Sequence, residues 1–162
     1  MELIASYFGK KVLRDVSKEE FLSQMPTLKR RFSSRAILRA IHFYNENERV
    51  LNSSLSLTNG DVKTFLNCIN NSGISSQVLL QNCYVPGSEN QPIMLAIEYS
   101  KSIISDGAVR VHGGGFAGSI LAFVNENEVD AYVEKMQEVF GNENVFKASI
   151  RKIGTTIIKE TK

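Results

Sequence analysis

Through the first hundred residues apolar side chains recur mostly at spacings of three and four, and beyond them the period drops to two. The chain therefore reads as helical first and mixed afterwards. Ser17-Lys-Glu-Glu20 forms a capping box, in which the serine oxygen can accept the Glu20 amide while Glu20 reaches back. It starts a short helix that Pro26 ends. Ser33 or Ser34 opens a long amphipathic helix with the apolar stripe Ile37, Leu38, Ile41, Tyr44, Leu51 and Leu55. Arg35, Arg39, Asn45, Glu46 and Arg49 lie on its other face, and Asn59-Gly60 terminates it. Asp61 caps the next helix, with Val62, Phe65, Leu66 and Ile69 inward, until Gly73 and a serine pair interrupt the pattern before Val78, Leu79 and Leu80. Pro86-Gly87 marks a turn. Ser88-Glu-Asn-Gln91 is a second capping box, followed by Pro92 in a first turn, and that helix runs to Asp106-Gly107.

Ala108 to His112 alternates as a strand, with Val109 and Val111 on one face and Ala108, Arg110 and His112 on the other. Gly113 to Gly118 is a loop and Ser119 to Val124 a buried strand. Glu128 to Phe140 is a helix that stops at Gly141. Val145 to Arg151 is a last alternating strand, which Gly154 divides from a Thr155 to Ile158 extension. The order predicts an α+β fold with helices on one face of a small antiparallel sheet, because the alternation that βαβ crossovers need is absent from the first hundred residues.

Composition narrows the class. The 162 residues suit one domain, and a chain of that size buries roughly 70% of its unfolded surface. Hydrophobic residues at 43% and charged residues at 22% place it among globular proteins. Nineteen Lys and Arg against 17 Asp and Glu leave +2, which gives no reason to expect nucleic acid or anionic lipid as partner. Apolar runs such as residues 119–124 fall far short of a membrane span, and Glu2 and Tyr7 break up an amino-terminal stretch that has no cleavage site, so neither membrane nor signal peptide is expected. Cys68 and Cys83 read as free thiols in a reducing, cytoplasmic setting, with no cationic run to make either catalytic. His42 and His112 are far apart with no ligand spacing, so no metal site is expected.

Five of the 11 glycines fall between Gly107 and Gly118. Gly113, Gly115 and Gly118 formally satisfy G-x-G-x-x-G, but that fingerprint needs a helix opening at its third glycine, and residues 120–124 are a buried strand. No Gly-Lys-Ser or Gly-Lys-Thr exists for a Walker loop. Two readings of the loop remain: a tight hairpin whose glycines relieve crowding, or an anion-lining loop with Arg110 or His112 nearby. Arg110 suits either a salt bridge or a phosphate contact, and His112 either a hydrogen-bonded turn or a base that has no evident proton partner. Phe116 reads as an anchor packing the loop, and Glu46, Glu48 and Arg49 as a solvated charged face.

At this loop the chain resembles the galactokinases, within the superfamily of galactokinase, homoserine kinase, mevalonate kinase and phosphomevalonate kinase. Their third motif is a strand with Ala-Arg, then Gly-Gly-Gly-Phe-Gly-Gly and an apolar strand. Here Val109-Arg110-Val-His precedes Gly113, Gly114, Gly115, Phe116, Ala117 and Gly118, followed by the apolar residues 119–124. Arg39-Ala-Ile-His-Phe-Tyr-Asn-Glu-Asn-Glu-Arg-Val50 is similar to the family's Arg-x-x-His helix with its Glu-Asn-x-Arg-Val ending. Asn59-Gly-Asp-Val-Lys-Thr-Phe65 is similar to its Gly-Asp-x-x-x-Phe, and Tyr7-Phe-Gly-Lys-Lys-Val-Leu-Arg14 to a stretch just past its mid-chain. Two departures stand out: Ala117 replaces the middle glycine of Phe-Gly-Gly, and Ser72-Gly73 replaces a Ser-His pair.

The resemblance implies residues 1–162 as a single carboxy-terminal kinase domain of ferredoxin-like, split βαβ type. It implies phosphorylation of galactose to galactose 1-phosphate with ATP and Mg²⁺, both substrates being held by an amino-terminal domain. That domain's sugar-recognition stretch, Pro-x-Gly-x-Gly-Leu-Ser-Ser-Ser phosphate loop and catalytic aspartate have no counterpart here. No catalytic residue is therefore expected in this chain, and alone it should be inactive and hold no cofactor tightly. The glycine loop, residues 113–118, borders the active cleft, with Arg110 and His112 as candidates for a phosphate or interdomain contact. An apolar face uncovered by the absent domain would favour self-association. A kinase for another hexose or N-acetylhexosamine, and a non-catalytic sugar sensor, are the alternatives.

Overall fold

The structure, a computed structural model, describes residues 1–116, 118–150 and 152–154. It is α+β, mostly helical, with one two-stranded antiparallel sheet among the described residues. The chain divides into two compact units, the first from Met1 to Asn125 and the second from Glu126 onward.

The first unit begins with a helical core. α1 (Glu2–Tyr7), a 3-10 turn (Leu13–Asp15), α2 (Lys18–Ser23) and α3 (Met25–Arg31) fold against the first half of α4 (Ser34–Thr58). Ile4, Phe21, Leu28 and Ala40 are fully buried there, and Val16 nearly so. Tyr44 completes the cluster, its ring 5.1 Å from that of Phe21 and its hydroxyl donating to the Val16 carbonyl at 3.0 Å. Burial pushes that hydroxyl's pKa up to about 12, so it stays a donor. The Ser17 oxygen accepts the Glu20 amide as the capping box predicts, and Ser33 caps α4 by accepting from Ala36. Pro26 does end α2, and it also opens α3 from a first-turn position, where its missing N–H costs nothing.

α4 departs from its predicted stripe. Ile37 and Tyr44 are buried, but Leu51 and Leu55 are 71% and 61% exposed. At that same end Ser56 is buried instead, so helical period alone does not decide which face is covered. Asp61 caps α5 (Val62–Ser75) by accepting from the Thr64 amide at 3.0 Å. Gly73 does not interrupt this helix. A Cβ there would meet the Val109 carbonyl at 2.9 Å, so the glycine permits close approach of helix and strand. A π-turn (Ser76–Leu80) follows and ends at Gln81, in the left-handed region at φ 58°. The second capping box does not form. Gln91 caps α6 (Pro92–Ile103) by position only, because its side chain folds back to the Val85 N–H and to the Val85 and Ser88 carbonyls.

β1 (Gly107–His112) pairs antiparallel with β2 (Ser119–Val124), in a register running from Gly107 opposite Val124 to His112 opposite Ser119. Val109 and Val111 face Ile93, Ile97 and Cys83, with Ile120 and Ala122 beside them, so α6 covers that face. Helices do not keep to one face, however. α5 lies along β1 and reaches the opposite face, where the Phe65 and Phe123 rings meet edge to face at 5.6 Å.

The second unit holds a 3-10 turn (Glu126–Glu128), α7 (Val129–Phe140) and another 3-10 turn (Asn142–Asn144). Gly141 ends α7 as predicted, at φ 88°. Of the expected strand over Val145 to Arg151, the described residues 145–150 carry no regular structure, and Phe146 and Ile150 are exposed. Alternation supplies only a pattern, and a strand exists only through a ladder to a neighbour. Arg151 and the Thr155 to Ile158 extension lie outside the described residues.

Candidate functional site

The hairpin presents its glycine loop between the ends of β1 and β2. Gly113 and Gly115 have φ of 68° and 80°, conformations that glycine alone adopts freely. Phe116 shares the left-handed region at φ 61°, where a bulky residue is an outlier. The loop closes on itself through the Gly118 N–H, which donates to the Gly115 carbonyl at 3.2 Å. Gly113 and Gly114 are exposed, and nothing lies within 4 Å of where a Cβ would stand on either. A small polar group such as a phosphate oxygen can thus approach their backbone closely. Ala117 lies outside the described residues.

Asn82 holds this loop from beneath, and sequence reasoning passed over it. Its carbonyl accepts the Phe116 N–H, and its Nδ2 donates to the Gly114 carbonyl at 3.2 Å. Gly115 rests directly on it: an added Cβ would fall 2.2 Å from the Asn82 carbonyl oxygen. The other end of the amide accepts the Cys83 thiol at 3.8 Å, so both ends are used. Phe116 anchors the loop through its backbone, and the residue is 39% exposed. The signal that could have found Asn82 is the amide pair Gln81-Asn82 set between the apolar residues 78–80 and 83–85, where burial forces an amide to bond.

The structure separates the two polar candidates on β1. His112 is exposed at the mouth of the loop, opposite Ser119. Arg110 is half-buried and its Nε donates to the Val111 carbonyl at 3.1 Å. Its charge falls instead on a seam between α4 and α5. Arg39, His42, Glu46 and Arg49 recur there at three and four, the helical period in polar residues. Arg39 donates to the Leu80 carbonyl, His42 Nδ1 shares a 2.8 Å hydrogen bond with the Ser75 hydroxyl, and Ser72 donates to Glu46, which also pairs with Arg49. Glu46 and Arg49 are thus interior members of a network rather than a solvated face, while Glu48 does face solvent and pairs with Lys18. Burial lowers the His42 pKa, with Glu46 opposing and Arg49 and Arg110 reinforcing.

The seam is not a catalytic triad. Ser75 is buried within the helix, and the Glu46 carboxylate is engaged by Ser72 and Arg49. Burial raises the Cys83 pKa, which keeps that thiol protonated and a poor nucleophile. Among the described residues no three His, Cys, Asp or Glu side chains gather as a metal site. No helix among them is long and apolar enough to cross a membrane.

An α+β unit with an open, clamped glycine loop at the tip of an antiparallel hairpin belongs to the class of arrangements that can meet anions through backbone N–H groups. Its sequence is similar to that of galactokinases, aligning with their carboxy-terminal portion. The chain is 31% identical to a galactokinase of Actinobacillus succinogenes over 149 residues, 91% of this chain and 37% of that protein. Against a galactokinase of Haemophilus influenzae it is 34% identical over 133 residues, 80% of this chain and 32% of that protein. For a galactokinase of Clostridium acetobutylicum the figures are 38% over 100 residues, 61% and 24%. The chain thus spans about a third of the length of the first two of these relatives. No protein-family model matches it.

Proposed function

We propose that this chain is the carboxy-terminal part of a galactokinase, which transfers the γ-phosphoryl group of ATP to galactose and gives galactose 1-phosphate. The observation that carries the reading is an alignment over 91% of the chain to a galactokinase, with the glycine loop joining two antiparallel strands. In phosphoryl transfer most of the rate comes from positioning and from stabilising charge on the transferred group. The exposed backbone at Gly113 and Gly114 contributes N–H dipoles toward phosphate oxygens, beside the site where a catalytic carboxylate supplied from outside these residues takes the sugar proton. His112 stands at the mouth of the loop, whereas Arg110 turns its charge toward His42 in the seam between α4 and α5. Mg²⁺ bound with the nucleotide would supply charge neutralisation.

The same reading takes residues 1–162 as one domain of split βαβ type, working in the cytoplasm, with ATP and galactose held chiefly elsewhere in the enzyme. Exposed Leu51 and Leu55 favour self-association of the chain by itself. The test is a coupled ADP-release assay across a sugar panel, on the natural protein that carries this chain. Turnover of galactose supports the proposal. Turnover only of another hexose or an N-acetylhexosamine reassigns the substrate, and ligand binding without turnover reassigns the protein as a sensor. The isolated chain is expected to bind magnesium-ATP no tighter than millimolar, about −4 kcal/mol, in calorimetry.

A further inference from the structure

Among the described residues only two non-glycine residues have positive φ, Gln81 at 58° and Phe116 at 61°. They are 35 residues apart in sequence, yet both adjoin one contact: Gln81 precedes Asn82, and the Phe116 N–H donates to the Asn82 carbonyl. Each such residue carries a backbone cost, and these costs persist only where the surroundings over-determine the geometry. The surroundings here do so from both directions. On one side the π-turn ends with the Gln81 N–H on the Ser76 carbonyl at 2.8 Å, and Arg39 of α4 binds the Leu80 carbonyl. Single π-turns of this kind occur often at functional sites. On the other side the Asn82 amide spans the loop, with Nδ2 on the Gly114 carbonyl and Oδ1 on the Cys83 thiol.

We propose that Asn82 is a positioning residue for phosphoryl transfer: it clamps Gly114 and Phe116 so that the open backbone of the glycine loop is fixed before the nucleotide arrives. This rests on the galactokinase reading above and adds a residue to it. The clamp acts through geometry. Asn82 lies on the covered side of the loop, buried, while Gly113 and Gly114 present the exposed side. A loop of glycines left free would spend binding energy on ordering itself, because glycine loses the most conformational freedom of any residue when fixed. Preset N–H dipoles need no reorganisation as charge develops.

Asn82→Asp is the decisive variant, since it keeps the shape and replaces the Nδ2 donor with an oxygen facing the Gly114 carbonyl. Hydrogen exchange is followed in this chain, and kinetics in the natural protein that carries it. Exchange across residues 113–118 should rise at least tenfold while that of α4 changes less than twofold, and kcat should fall at least tenfold with the galactose KM within twofold. Where Asn82→Asp does not fold, Asn82→Ala, which removes the donor without adding charge, is read in the same way. Gln81→Gly, which relieves the left-handed cost and leaves the clamp intact, should leave loop exchange and kcat unchanged. Uniform acceleration of exchange over the whole chain would reduce Asn82 to a stabilising residue and overturn the proposal, as would an unchanged loop or a rise in KM alone. Wild-type protein that turns over no sugar of the panel sinks the kinase reading instead, and the exchange experiment then still decides whether the clamp exists.

Discussion

Around Phe21 and Leu28 the first unit is held by apolar side chains pressed together, whereas around β1 and the glycine loop two asparagines bond to the backbone of another segment. Asn82 clamps the loop, and Asn70 does the equivalent for the strand. Its Nδ2 donates to the Gly107 carbonyl and its Oδ1 accepts the Val109 N–H, both at 3.1 Å. That is the pair of bonds one residue of a neighbouring parallel strand would make. A carboxamide on α5 thus takes the place of a third strand along the edge of β1 that faces away from β2. Apolar contact is forgiving in direction and exacting in volume; amide pairing reverses both. The helical core therefore tolerates reshaping, and the hairpin tolerates almost none at its two asparagines.

Breaking each region in its own terms should expose the difference. Phe21→Ala empties a fully buried aromatic site and should cost about 3–5 kcal/mol in urea unfolding, whereas Phe21→Leu, which keeps most of the volume, should cost less than about 1.5 kcal/mol. Equal losses for the two variants would mean that ring geometry, not volume, holds that core. For Asn70→Ala the expected loss is about 1–3 kcal/mol, from the Val109 N–H and Gly107 carbonyl left without their partner. Asn70→Leu restores size without the bonds and should recover little of it; full recovery would show that the contact is mere packing.

The smallest effect is a pH dependence from the seam. Because burial holds the His42 pKa below its ordinary 6.5, the folded state binds fewer protons than the unfolded state as pH drops. The contribution is fully present above about pH 6.5 and is lost as pH falls through the lowered folded value. An NMR titration should place the His42 midpoint below 6.5, and Glu46→Gln, which removes the opposing charge, should depress it further. A midpoint above 6.5 would show that Glu46 outweighs burial.

How much could be read in advance depended on range. Caps are local, so Ser17, Ser33 and Asp61 announced their helices within four residues, and the change of period at Gly107 announced the hairpin. Ser88 failed at the same task because Gln91 found the Val85 and Ser88 backbone instead, a competition that pattern does not rank. The glycine loop was legible as a loop, since its residue types are a backbone requirement. Tertiary structure alone decided the rest. It left Leu51 and Leu55 uncovered, turned Glu46 onto Ser72 and Arg49, set Gly73 against β1, and brought Asn82 under a loop 32 residues away. Local propensity fixes which elements form because their hydrogen bonds lie within a few residues. Which polar groups are buried, and what each must bond, is set only when distant segments exclude water between them.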